Sequence, residues 1–263
     1  MPITTIAVHV EAAEMATLEP RMAMPLALAH THEAHNAAVV FKTNVLEGGG
    51  EPEDGEENLI AQRVRDLLNG AGVRGDVRGR SSFAYGIGEV FADQMRVSDI
   101  GMMAFAAGAS AGSQFVAAGG IFSSGRPLIL YPSGTQSRCA RITIAWDASP
   151  ASVRAIHGAM PLISKAELVT VVSITDDKDF RRGQSGAELA HLLARHGAKT
   201  EFRPLQRGGA SVMGAVADFA QSARSDLLVM GAVRHSLVHK MMYGSATQDI
   251  LDGGPSLPIL TAA

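Results

Sequence analysis

Arg224-Ser-Asp-Leu-Leu-Val-Met-Gly231 is a short apolar run with an acid near its entrance and a glycine at its exit. Val97-Ser-Asp-Ile-Gly-Met-Met-Ala104 has the same layout with alanine at its exit. Such a repeat means that each copy supplies one unit of the same fold. Two further pairs keep the same order. Thr5-Ile-Ala-Val-His-Val-Glu11 is echoed by Arg141-Ile-Thr-Ile-Ala-Trp-Asp147, and the proline-led Pro127-Leu-Ile-Leu-Tyr131 by Pro258-Ile-Leu-Thr261. Each run suits a buried strand, and helical patterns lie between the runs. This alternation predicts βαβ crossovers and parallel sheets. The expected organisation is two α/β domains, residues 1–134 and 138–263, joined through the small polar stretch Ser133-Gly-Thr-Gln-Ser137.

The second copy reads clearly. A strand over Ile142–Trp146 leads to Ser149, a good helix N-cap, and Pro150, which suits the first helical position. That helix should reach Ile163, followed by a strand over Glu167–Ile174. A helix over Gly186–Arg195 should end at Gly197, a residue free to turn left-handed. A strand over Lys199–Pro204, a helix over Ser211–Ala223, a strand over Leu227–Met230 and a helix from Ser245 complete the unit. In the first copy, the acidic, glycine-rich Glu47–Glu57 is expected to be a solvated loop.

Composition narrows the function. Net charge is -3, and no basic cluster marks a nucleic-acid partner. Aromatics are only 5%, too few for a base-stacking surface. No apolar run is long enough to span a membrane. The N-terminal residues lack a secretion signal, so a cytoplasmic protein is expected. The single cysteine, Cys139, excludes an internal disulfide and a cysteine-rich zinc site.

One stretch points to a ligand class. Gly231 ends a strand, and Gly244-Ser245 opens the next helix. Backbone N–H groups and a helix N-terminus then meet at the strand ends, where phosphates bind. Asp147 would lie beside this loop if both strands are central, placed to accept hydrogen bonds from a ribose or a base. Taken alone, the pattern also describes an ordinary strand–helix connection.

The spacing Gly231-x2-Arg234-x9-Gly244-Ser245 resembles the loop of the universal stress proteins, whose nucleotide-binding members carry Gly-x2-Gly-x9-Gly followed by Ser or Thr. Ser225–Met230 and Ile144–Ser149 are similar to the strands that flank it. The resemblance covers the chain as a tandem pair, most strongly over residues 138–263. It implies two tandem domains, each a parallel five-stranded sheet flanked by helices, and dimer-like pairing of the two. It implies ATP as the cofactor, with magnesium able to accompany it. Ala145, Trp146 and Asp147 would flank the nucleotide, and Ile174 would offer backbone to the adenine edge. Met230 and Gly231 would border ribose and phosphates. Gly244, Ser245 and Ala246 would hold the phosphates, with Arg234 and His235 as nearby cations. Arg234 departs from the pattern by replacing its second glycine. The first copy has Glu11 and Ala104 in place of Asp147 and Gly231, and Gly119-Gly120-Ile121 as its nearest match to Gly244-Ser245. It is expected to serve as a ligand-free packing partner.

The expected function is a stress-response protein holding ATP as a structural or regulatory ligand. The alternatives are a scaffold for dimerisation or interaction without nucleotide, and a slow ATPase. No catalytic residue is assigned, since neither a Gly-x-Ser-x-Gly elbow nor a Gly-x4-Gly-Lys-Ser/Thr loop is present. His30, His32 and His35 are expected at a solvated helix end, with no acid or cysteine cluster to complete a metal site. Expected partners are the nucleotide and the other half of the chain, with a homodimer as a further arrangement.

Overall fold

The computed structural model describes residues 2–44, 54–83, 86–176, 185–232 and 246–263. Among the described residues, ten strands alternate with helices within each half. The first half contains β1 (Thr5–Glu11), a 3-10 turn (Ala12–Thr17), α1 (Leu18–His32), β2 (His35–Asn44) and α2 (Asp54–Gly70). It continues with β3 (Gly75–Phe83), α3 (Ile87–Arg96), β4 (Ile100–Ala104), α4 (Ala111–Phe122) and β5 (Leu128–Tyr131). The second half contains β6 (Arg141–Ala145), α5 (Pro150–Ile163), β7 (Leu168–Ile174), α6 (Ser185–Arg195) and β8 (Thr200–Leu205). It closes with α7 (Val212–Ser222), β9 (Leu227–Gly231), α8 (Ala246–Gly253) and β10 (Ile259–Ala262).

The local signals explain the helix ends. Ser149 Oγ accepts from the Ser152 N–H at 3.1 Å, and Pro150 follows at the first helical position. Ser211 caps α7 and Ser110 caps α4 in the same way. At the end of α6, the Ala198 N–H donates to Leu193 O and the Gly197 N–H to Ala194 O. This Schellman pair requires the left-handed turn that Gly197 makes at φ +89°.

All ten strands join one sheet in the order β3-β2-β1-β4-β5-β10-β9-β6-β7-β8. Each half is a parallel run of five. Across the middle, β5 and β10 pair antiparallel, with Leu130 opposite Ile259 and Leu128 opposite Thr261. The two half-sheets are therefore fused edge to edge. Strand alternation sends one set of side chains to each face. One face buries Ile6, Val8, Ile142, Ile144 and Val229 under α1, α2, α5 and α6. The other buries Leu128, Leu130, Leu228 and Met230 under α3, α4, α7 and α8. Both cores run through the β5–β10 junction without a break.

Three expectations are corrected. Asp54–Glu57 belong to α2 rather than to a loop, and residues 45–53 lie outside the described residues. His32 ends α1 whereas His35 starts β2, because Glu33 turns left-handed between them at φ 52°. His32 is also buried, not solvated, and His35 Nε2 lies 2.6 Å from Asp76 Oδ1. Gly119 and Gly120 sit inside α4, not at a helix start. A Cβ on Gly119 would come within 2.6 Å of the Gly88 carbonyl carbon, so this glycine lets α3 and α4 approach closely. Among the described residues, no helix is long and apolar enough to cross a membrane.

Candidate functional site

In the second half, β6 and β9 are neighbours, with Ala145 opposite Met230. The chain leaves β6 for α5 on one face, and β9 is followed by α8 on the other. Connections that diverge in this way leave a crevice at the carboxyl ends of the strands, where ligands of open α/β sheets bind.

Asp147 stands at the mouth of this crevice. Its Oδ1 accepts from the Ser149 N–H at 2.9 Å, across Ala148 at φ 59°. The carboxylate is thus held next to the N-terminus of α5, where a negative charge is favoured. Asp147 is exposed, and Oδ1 makes only a local turn, so the group faces solvent.

The other predicted residues divide into three groups. Ala145 and Ile174 end two strands and Met230 is next to the end of a third, adjacent one; all three pack on the same face, so the structure brings them together. Trp146 points to the opposite face. Its indole Nε1 donates to Ser185 Oγ at 2.9 Å at the start of α6, and its carbonyl accepts from Ser173 Oγ. The indole therefore holds α6 against the sheet. Arg234, His235, Gly244 and Ser245 lie outside the described residues, and Ala246 is the first residue of α8.

Gly231 serves a purpose that its position in the loop pattern did not reveal. A Cβ there would meet the backbone of α5, reaching 2.8 Å from the Ala151 carbonyl carbon. The glycine lets the first turn of α5 rest directly on the end of β9. Close by is a recess of about 450 Å³, lined by Ser149, Pro150, Ala151, Arg154, Ala232 and Ala263, with Phe122 of α4 closing it from the first half. Arg154 Nε donates to Ala263 O at 2.6 Å.

Asp176 was missed by the sequence reading. Its carboxylate accepts from the Arg207 and Gly208 N–H groups at 2.9 and 3.2 Å, and these bonds hold its pKa below the usual carboxylate value. It fastens the segment after β7 to the loop before α7, beyond Ile174. Only an acid just past a strand end signals this in the sequence.

The strand register aligns the halves residue by residue. His9 opposes Met103 as Ala145 opposes Met230. The Phe105 N–H donates to Tyr131 O as the Ala232 N–H donates to Ala262 O. His9, Ala104, Phe105 and Tyr131 thus occupy the places of Ala145, Gly231, Ala232 and Ala262. The four first-half residues are all buried, whereas Ala145 and Gly231 remain half-buried. At two of the four places the second half is therefore the more exposed and carries the smaller side chain, while Ala232 and Ala262 are as buried as their counterparts.

The fold has counterparts among solved structures. A universal stress protein from Archaeoglobus fulgidus DSM 4304 superposes with a TM-score of 0.68 at 15% identity, over 97% of this chain and 95% of that one. A provisionally named universal stress protein from Pseudomonas aeruginosa UCBPP-PA14 gives 0.61 at 15% identity, over 98% and 92%. The chain has the universal-stress-protein fold. Both matches extend over both halves, so the fused sheet as a whole is part of the likeness. The same fold matches the cytoplasmic domain of a prokaryotic cation chloride cotransporter, with a TM-score of 0.50 at 13% identity over 99% of this chain and 96% of that one. No family model and no curated protein matches the sequence.

Proposed function

We propose that the chain binds an adenine nucleotide, ATP, in the crevice at the ends of β6 and β9, and uses it as a structural or regulatory ligand in a stress response. The observation that carries this reading is the contrast between the halves: at two equivalent strand-end places one half has buried His9 and Ala104 and the other half-buried Ala145 and Gly231. The spacing of Gly231, Gly244 and Ser245 supplies the ligand class. Residues 1–134 then form the ligand-free partner domain and residues 138–263 the ligand-holding one, in a cytoplasmic protein.

In this reading Ala145, Ile174 and Met230 give the base and ribose an apolar flank. Asp147 accepts their hydroxyl or amino hydrogens, and Trp146 supports the floor by fixing α6. Arg234, His235, Gly244, Ser245 and Ala246 face the phosphates. Magnesium would come with the ATP. Among the described residues no cluster of three or more His, Cys, Asp or Glu side chains is arranged to hold a metal. No general base is assigned, so hydrolysis would be slow at most.

Mass spectrometry of nucleotide released from the purified chain, with ATP calorimetry, tests the reading. Bound adenine nucleotide and saturable heat below millimolar ATP are expected, both lost in Gly244→Val. No binding at millimolar ATP overturns it. Such a result would favour the second reading, an interaction scaffold without nucleotide, to which Arg234 in place of a glycine points.

A further inference from the structure

We propose that side-chain volume at one strand-end position decides which half holds a ligand. Ala145 leaves that volume open in the second half, and His9 fills it in the first. This inference rests on the nucleotide reading above and assigns its specificity to particular residues.

The two positions are equivalent by register, and even their cross-strand partners are of one type, Met103 and Met230. The backbone pairing therefore does not distinguish the halves. What differs is the side chain. The imidazole of His9 is buried, with its ring edge-on to Phe91 at 5.5 Å between centroids and an interplanar angle of 72°. Beside it Phe105, equally buried, stands where the second half has Ala232. His9 and Phe105 lie on the same face of the sheet as α3 and α4. Ala145 and Ala232 lie on the corresponding face of the second half. Two flat rings in the first half thus take the place of a flat ligand in the second. Gly254 adds a contact between the halves on this side. At φ +68° it rests against the backbone of Ala106 and Ala107, just past Phe105, where a Cβ would come within 2.6 Å of the Ala106 carbonyl carbon. The loop after Phe105 is therefore backed by the second half. The chain holds one ligand, and the first half acts as its packing wall.

Calorimetric titration of the full-length chain with ATP and with adenosine tests this. The wild-type chain is expected to bind one equivalent. Ala145→Val should weaken binding about tenfold, the effect of one overpacked methyl pair. Ala145→His should abolish it with the circular dichroism spectrum unchanged. If Ala145→His fails to fold, Ala145→Val decides. The double variant His9→Ala/Phe105→Ala should lose thermal stability and take up a second equivalent of adenosine, which needs no phosphate loop. A purely structural His9 would give the first effect without the second. Wild-type affinity in folded Ala145→His, or in Ala145→Val if that variant must decide, overturns the assignment of Ala145. One equivalent in the double variant overturns the plug role of His9. A wild-type chain that binds neither ATP nor adenosine removes the nucleotide reading and this inference with it.

Discussion

Gly231 carries two demands on one residue. In the loop pattern it permits a ligand near the backbone, while in the folded chain its missing side chain makes room for the first turn of α5. The second demand exists without ligand and can be measured separately. Gly231→Ala is expected to lose about 1–3 kcal/mol, because Ala151 and Ser152 are backbone neighbours that cannot rotate away. Urea denaturation of the nucleotide-free protein reads this, and an unchanged midpoint would return the glycine to a ligand role alone. Cys139 is the opposite case, a reactive residue type kept inert. Burial pushes its thiol up to about 12, against a weaker downward pull from the Ser137 hydroxyl. Alkylation at pH 8 is accordingly expected to be at least about a hundredfold slower in the native chain than in urea. Equal rates would mean that the segment between the halves opens freely.

At the scale of elements, the Ser-Asp pair that revealed the repeat has a structural reason to recur. Asp99 receives the Thr4 and Thr5 N–H groups at 2.7 and 3.0 Å, and Asp226 receives those of Ala140 and Arg141 at 3.0 and 2.9 Å. Each acid enters the fourth strand of its half and fastens the start of the first. For Asp99, partial burial raises the carboxyl pKa, but the Thr4 hydroxyl and the two amides outweigh it and hold it below the usual range. That contribution is present above the unfolded carboxyl value and is lost as pH falls through the lower folded one. Asp226→Ala should cost about 1–3 kcal/mol and free two amides near β6. Hydrogen exchange at Ala140 and Arg141 should then accelerate, and protection kept at both would show that the acid is dispensable. Such paired signals made strand order and helix caps legible. They failed where a residue's role depends on something distant in sequence. Gly119 looked like the counterpart of Gly244 because Gly88, its partner across the helix contact, is not its neighbour in the chain. The bond from Trp146 to Ser185 was likewise hidden, because the two residues are far apart in the chain. The crevice could be inferred from the strand order, but its filling by His9 and Phe105 in one half appeared only once the registers were aligned.

For the whole molecule, the decisive contact is the one least visible in the sequence. β5 and β10 join through backbone hydrogen bonds, and every residue of Leu-Ile-Leu-Tyr and Ile-Leu-Thr-Ala is buried, a pattern shared with any interior strand. Fusion lets both cores continue from one half to the other, so buried groups near the junction bear on the stability of the entire sheet. His32 is such a group. It ends α1 of the first half, close to the end of α5 of the second, where Lys165 Nζ donates to Thr31 O at 3.0 Å. Burial, with the positive charge of Lys165 adding to it, lowers the His32 pKa from 6.5 to about 4. Burial and Arg21 lower His9 further, to about 3. The unfolded chain therefore binds protons near pH 6.5 that the folded chain refuses until well below pH 5. Stability is full above about 6.5 and declines as pH falls toward 4 and then 3. His32→Leu puts an apolar side chain of similar size in place of the titrating ring, whose Nδ1 is buried without a hydrogen-bond partner among the described residues. Its melting temperature is expected to fall less steeply between pH 7 and pH 4 than that of the wild type, and His9→Phe should flatten the curve further at the acid end. Identical slopes in all three proteins would mean that neither histidine carries the acid sensitivity of the fused sheet.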